Sequence, residues 1–193
     1  MHTIRFYFSF RSPYSWIAAE LLGEQLAGVA HELELVPIYP LADSWPNDPA
    51  RVPNKLRYVM HDVVRLCTEH ALSLTFGAAI DTDWARAHAA FLGAQRLGAG
   101  EAFMLEMFRA RFTRALDVAL DAVIADCAER ARLPAQPLLE AASSPELQRA
   151  AAQSFELGQQ RDGIFGVPSF VFQGQLFWGH DRLAALRHAL ASA

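Results

Sequence analysis

The sequence predicts an α/β fold in which a βαβ opening and a ββα close share one sheet, with a long run of helices set between them. Three observations predict it. An aromatic, β-branched stretch from Ile4 to Phe10 gives way to a helix start at Ser12-Pro13 and then to an alternating segment at Leu33, Leu35 and Pro37. From Asn54 to about Arg161 apolar residues recur at helical spacing with almost no strand signal. After Asp162 strand character returns as Phe170-Val171-Phe172 and Leu176-Phe177-Trp178, joined by Gln173-Gly174-Gln175 as a tight turn.

The first strand ends where Arg11-Ser12-Pro13 interrupts it. Ser12 is an N-cap candidate whose oxygen can accept from an orphan N–H, and the missing N–H of Pro13 costs nothing in a first turn. Ile17, Ala18, Leu21, Leu22 and Leu26 then fall at helical spacing, and Gly28 supplies the stop. The second strand leads into an irregular, proline-rich segment from Pro40 to Pro53, and a βαβ unit in one sheet is a right-handed parallel crossover. In the middle, Leu56, Val59, Met60, Val63, Val64 and Cys67 make one stripe. A second helix starts near Asp81 or Thr82 and runs to Leu97, where Gly98 and Gly100 break it. Two more helices span Phe103 to Phe108 and Leu116 to Ile124, and Ser144-Pro145-Glu146 opens another with cap and N1 proline in place. Met104 and Met107, with their phenylalanines, read as helix core. Asp181 reads as the cap of a final helix whose Leu183, Leu186 and Leu190 face inward. A βαβ start and a ββα finish around one sheet is the thioredoxin arrangement. The expected layout is therefore a thioredoxin-like domain in two halves, residues 1–53 and 162–193, with an inserted all-helical domain at 54–161.

Composition removes several function classes. The chain has 193 residues, 52% of them apolar and 20% charged, which excludes disorder and allows a real core. Its 17 basic and 21 acidic residues are mixed without a basic block, so nucleic acid is not expected as a partner. No apolar run approaches the ~18 to 20 residues of a membrane span, and the start lacks the apolar core of a signal segment, so a cytoplasmic chain is expected. Cys67 and Cys127 lie 60 positions apart, with no Cys-x-x-Cys and no Cys/His ligand spacing. Neither a disulfide framework nor a metal site is implied, and both read as small buried apolar groups.

Three features carry chemistry. Ser12-Pro13-Tyr14-Ser15 opens a helix, where free N–H groups and about half a positive charge favour an anion. Redox members of the thioredoxin superfamily carry Cys-x-x-Cys there; with serine at both positions this site cannot cycle between dithiol and disulfide, but the Ser12 hydroxyl can donate to another molecule's thiolate. Gly166-Val167-Pro168-Ser169 enters a strand where thioredoxin-like folds place a cis proline, which would turn the Val167 N–H and C=O toward Ser12 for backbone pairing. In Trp178-Gly179-His180-Asp181-Arg182, Asp181 can pair with an ammonium while the helix start attracts a carboxylate. A thiolate anchor, a backbone-pairing loop and a place for an amino-acid head group together describe glutathione. Each residue also has a plainer reading: Ser12 and Asp181 as caps, Val167-Pro168 as a trans turn, His180 as a surface residue.

The stretch Phe6-Tyr-Phe-Ser-Phe-Arg-Ser-Pro-Tyr-Ser-Trp16, the stretch Gly163-Ile-Phe-Gly-Val-Pro-Ser-Phe-Val-Phe172, and Leu176-Phe-Trp-Gly-His-Asp-Arg-Leu183 resemble the DsbA-type thioredoxin family. Within it they resemble the branch of 2-hydroxychromene-2-carboxylate isomerases and kappa-class glutathione transferases. Pro53-Asn54-Lys55 with Tyr58, Asp62 and Arg65 resembles that branch's first inserted helix. The resemblance implies that Ser12 activates glutathione, that Val167 before a cis Pro168 pairs with its cysteinyl backbone, and that Asp181, with His180 beside it, holds its γ-glutamyl end. It places Asn54 and Lys55 at the ligand or substrate side, and implies a small aromatic-derived substrate and a homodimer. Ser169 stands where the family has threonine, and Thr75 to Asp83 lacks the family's prolines and Asn-Ser. The reading is a glutathione-dependent isomerase of aromatic catabolism. A kappa-type transferase or peroxidase, which consumes the thiol, and a redox-inactive peptide-binding protein remain open.

Overall fold

The computed structural model describes residues 2–39, 52–78 and 82–193. Strand β1 (His2–Phe8) leads through helix α1 (Pro13–Gln25) to β2 (His31–Pro37), which pairs parallel with β1 from His2 opposite His31 to Phe8 opposite Pro37. Helices α2 (Pro53–Glu69), α3 (Trp84–Arg96), α4 (Gly100–Phe112), α5 (Asp121–Arg130), α6 (Ala135–Ala142) and α7 (Pro145–Asp162) follow. The chain then returns as β3 (Ser169–Phe172) and β4 (Gln175–Trp178), passes through a 3₁₀ turn at His180–Arg182, and ends in α8 (Leu183–Ala191). The sheet order is β2-β1-β3-β4, with β3 antiparallel to β1 and β4 antiparallel to β3. This is the predicted arrangement. Among the described residues no helix is long and apolar enough to cross a membrane.

Strand alternation decides where the core sits, because neighbouring side chains point to opposite faces. Ile4, Phe6 and Phe8 enter the main core with Ile17 and Leu21 of α1 and Leu186 of α8. Phe6 stacks on Phe170 at 4.6 Å between ring centroids. The same aromatic run continues into the helices: Phe8 meets the edge of Phe91 at 5.0 Å, and Phe10 meets Phe108 at 5.1 Å. Sheet and helices therefore share one continuous apolar core. On the other face Tyr7, Ile38, Ile164 and Val171 pack with Phe155 of α7.

Some element ends differ from the sequence expectation. The hairpin turn is two residues, Gln173 and Gly174, both at positive φ (48° and 77°), as a turn matched to the strand twist requires, so Gln175 already belongs to β4. Helix α3 is capped by Asp83, which accepts from the Arg86 N–H at 3.2 Å; Thr82 instead donates its hydroxyl to Asp117, and Asp81 lies outside the described residues, as does 40–51 of the proline-rich segment. Gly100 opens α4 rather than ending α3. Asp181 does not cap the final helix: Gly179, at φ 117°, turns the chain into the 3₁₀ segment that contains Asp181, and α8 begins after it without a side-chain cap.

Candidate active site

At the start of α1 the Ser12 Oγ accepts from the Ser15 N–H at 3.1 Å, and the Ser12 N–H donates to the Ser9 carbonyl at 2.9 Å. A hydroxyl has one proton to give and two lone pairs to receive with. The cap uses a lone pair, so the Ser12 proton stays available to an external acceptor. Pro13 brings no N–H and Ser12 takes that of Ser15, which leaves the Tyr14 N–H as the first-turn donor outside the cap. Both donors sit at the positive end of α1.

A buried polar seat holds this turn. His88 of α3 is fully buried, and its Nδ1–H donates to the Trp84 carbonyl at 2.7 Å, so Nε2 is the acceptor. Nε2 receives the Phe10 N–H at 3.3 Å and the Ser9 hydroxyl at 3.4 Å. The Ser9 N–H donates to Ser15 Oγ at 3.4 Å, and the Arg11 N–H donates to Ser9 Oγ at 3.4 Å. The loop from Ser9 to Ser12 is thus tied to the helix it precedes and to α3 beneath it.

The second half of the fold arrives at the same sheet end. Ser169 of β3 lies opposite Tyr7 of β1, so Val167-Pro168 enters where β1 runs out toward Ser12. That peptide bond is cis. The Pro168 carbonyl accepts from the Gly179 N–H at 2.9 Å, and the Ser169 hydroxyl donates to the Gly166 carbonyl at 2.7 Å. His180 then stacks on Tyr14 of α1, with ring centroids 5.6 Å apart and planes 9° from parallel. Burial pushes His180 below the ordinary imidazole value, against the pull of the Asp181 carboxylate. Asp181 is exposed and paired with Arg182. The Tyr14 hydroxyl donates to Asp62 of α2 at 2.8 Å, and Arg65 donates to the same carboxylate at 2.9 Å. Burial alone would raise the Asp62 carboxyl, but these hydrogen bonds outweigh it and hold it below its usual range. Burial and the bond to Asp62 push the Tyr14 phenol upward.

At the start of α1 opens a cavity of about 310 Å³, whose described lining does not include Ser12 itself. Arg11 and Pro13, the residues on either side of Ser12, both line it, with Leu56 and Met60 of α2, Phe76 of the following segment and Arg111 of α4. Asn54 and Lys55 are exposed on the first turn of α2 and are not among the described lining residues. The two cysteines are buried and do not line the cavity; burial pushes both thiols up, Cys127 to about 12. Sequence reasoning singled out Ser12, Val167, Pro168, His180 and Asp181, which the fold gathers at one end. It missed Arg11, His88 and Arg111, whose roles come from packing across elements. Among the described residues no group of three or more His, Cys, Asp or Glu side chains is arranged to hold a metal ion.

The model of the DSBA-like thioredoxin domain matches residues 3–191. The chain belongs to that family. It is 30% identical over 199 residues to the 2-hydroxychromene-2-carboxylate isomerase of Sphingobium xenophagum, covering 97% of each chain. Among solved structures, a 2-hydroxychromene-2-carboxylate isomerase superposes with a TM-score of 0.84 at 21% identity, over 98% of this chain and 95% of that one. The cytosolic disulfide reductase DsbM from Pseudomonas aeruginosa, solved with GSH, superposes at 0.69 with 19% identity, over 98% of both chains. At those identities the two structures speak to the fold, while the family match covers nearly the whole chain.

Proposed function

We propose that the protein is a glutathione-dependent isomerase acting on 2-hydroxychromene-2-carboxylate or a close relative of it. The observation that carries this reading is the helix-end hydroxyl of Ser12, whose cap bond uses a lone pair and leaves its proton, with an apolar cavity lined by its two chain neighbours Arg11 and Pro13. The isomerase relative supplies the reaction class, and serine at both positions of the α1 motif argues against dithiol exchange.

The residues fit a bound thiol tripeptide. Ser12 and the Tyr14 N–H supply donors for a sulfur anion, Val167 supplies backbone groups for the cysteinyl unit, and Pro168 shapes that loop. Asp181 and His180 take the γ-glutamyl end. Asn54 and Lys55, on the open first turn of α2, serve the substrate side. When bound, glutathione supplies the nucleophilic sulfur whose reversible addition frees a carbon-carbon bond to rotate, so it is not consumed. Ser12 stabilises that sulfur as an anion, and the positive end of α1 adds to it. Lowering a thiol pKa by one unit takes only about 1.4 kcal/mol, within reach of one charge-assisted hydrogen bond and a helix terminus. The reading carries with it residues 1–53 and 162–193 as one thioredoxin-like unit around an inserted helical domain at 54–161, a cytoplasmic location and a homodimer.

Ser12→Ala tests it. Losing the cap should cost about 1 kcal/mol of stability, while losing the donor should cut turnover about 10²-fold or more. Unchanged turnover rejects the assignment, and labelled glutathione appearing in product would make the enzyme a transferase instead.

A further inference from the structure

Tyr58, Asp62 and Arg65 follow one another at four and three residues on α2, so they share one face of that helix. Arg65 donates to Asp62 at 2.9 Å, and its guanidinium lies 5.7 Å from the centre of the Tyr58 ring. Both neighbours help to hold the Asp62 carboxyl below its usual range. The resulting carboxylate reaches across to α1 and receives the Tyr14 hydroxyl at 2.8 Å. A bond from a hydroxyl to an ionised acceptor is roughly twice as strong as one between neutral groups. Tyr14, for its part, belongs to both ends of the thiol site. Its N–H is in the first turn of α1, two residues past Ser12, and its ring stacks on His180 at 5.6 Å with planes 9° from parallel. The ring turns on two side-chain torsions, so fixing the phenol oxygen at the far end holds the whole side chain in that stack. Asp62 therefore ties three segments through one tyrosine: the start of α1, the turn that carries His180 and Asp181, and α2.

We propose that Asp62 is a positioning residue for glutathione: by holding the Tyr14 phenol it keeps the ring against His180 and the first turn of α1 in place under the sulfur, so that an inserted helix orients both ends of the thiol site. This role rests on the isomerase reading, from which glutathione has its place over the start of α1. Asp62 itself need not touch the tripeptide; it acts through Tyr14. The same helix lines the cavity with Leu56, Val59, Met60 and Val63, so the bond also sets that wall against the start of α1.

The test is a double-mutant cycle on the full chain with Asp62→Ala, Tyr14→Phe and the pair together. Glutathione affinity is measured by calorimetry, and the ionisation of the bound thiol by thiolate ultraviolet absorbance. Asp62→Ala should weaken glutathione about tenfold, and the thiol of the bound tripeptide should titrate about half a pH unit higher than on the native protein. Tyr14→Phe keeps the ring and loses only the hydroxyl, so it should fold and show the same two losses. The double variant should be no worse than either single one, because both remove one bond. A role confined to holding the fold together would lower stability and leave the bound thiol titrating as on the native protein. Native affinity and native thiol titration in Asp62→Ala or in Tyr14→Phe, or losses that add in the double variant, overturn the role of Asp62 and leave the isomerase reading standing. A native protein that binds no glutathione overturns that reading, and this role with it.

Discussion

Acid should destabilise this protein through His88, and the geometry sets the size of the effect. The imidazole is fully buried, with its proton on Nδ1 committed to the Trp84 carbonyl and Nε2 accepting from Phe10 and Ser9. Protonating Nε2 would place a second donor against groups that already donate. Burial, opposed only by the bond to Trp84, takes the pKa from 6.5 down to about 4. In the unfolded chain His88 gains its proton near pH 6.5, whereas the folded chain resists until about pH 4. Across that window the unfolded state binds more protons, so the stability His88 contributes is complete above pH 6.5 and falls away as the pH drops toward 4. A difference of 6.5 less 4, at about 1.4 kcal/mol for each pH unit, amounts to roughly 3 kcal/mol. Urea unfolding of the native protein and of His88→Gln at a series of pH values measures it. The native protein should lose roughly 3 kcal/mol more than the variant between neutral pH and pH 4. His180, Asp62 and Asp126 are the same in both proteins, so what their titration costs cancels in the difference between the two profiles. Parallel pH profiles for the two proteins would refute the reasoning.

Three further outcomes follow from packing at the site and in the helical core. Tyr14→Phe removes the donor to Asp62, so stability should fall by about 1 kcal/mol and the Asp62 titration, followed by NMR, should move upward. In Gly166→Ala the new Cβ would lie 2.6 Å from Trp178 Nε1, so the indole must move; a loss of about 1 to 3 kcal/mol and an altered near-UV spectrum are expected, and an unchanged spectrum would contradict this contact. Cys127, buried with its thiol pushed up to about 12, should resist alkylation at neutral pH until the protein is unfolded in urea, and rapid labelling of the native protein would show otherwise.

The two ends of the fold were legible because their signals are local. Ser12-Pro13 carries a cap and an N1 proline in adjacent positions, and the sheet strands carry runs of Phe, Val and Leu bounded by turn residues. Helix α6 was not foreseen: it is 8 residues long with Pro137 in its first turn, too short for a period to show. Asp181 misled because an acidic residue before an apolar period looks like a cap, whereas the positive φ of Gly179 inserts a 3₁₀ turn that no side-chain pattern announces. The same limit hid the floor and wall of the site. His88 and Arg111 sit on helices where polar residues usually face water, and only the packing of α3 against the Ser9–Phe10 loop and of α4 against α3 turns them inward.

The sulfur of bound glutathione is the group on which the account turns, and its ionisation can be read directly from thiolate ultraviolet absorbance as pH is varied over saturated protein. The native chain should lower the thiol pKa by about one unit or more relative to free glutathione, and Ser12→Ala should return most of that shift while still binding the tripeptide. A bound thiol that titrates as it does in water, or one whose ionisation ignores the Ser12 hydroxyl, would contradict it.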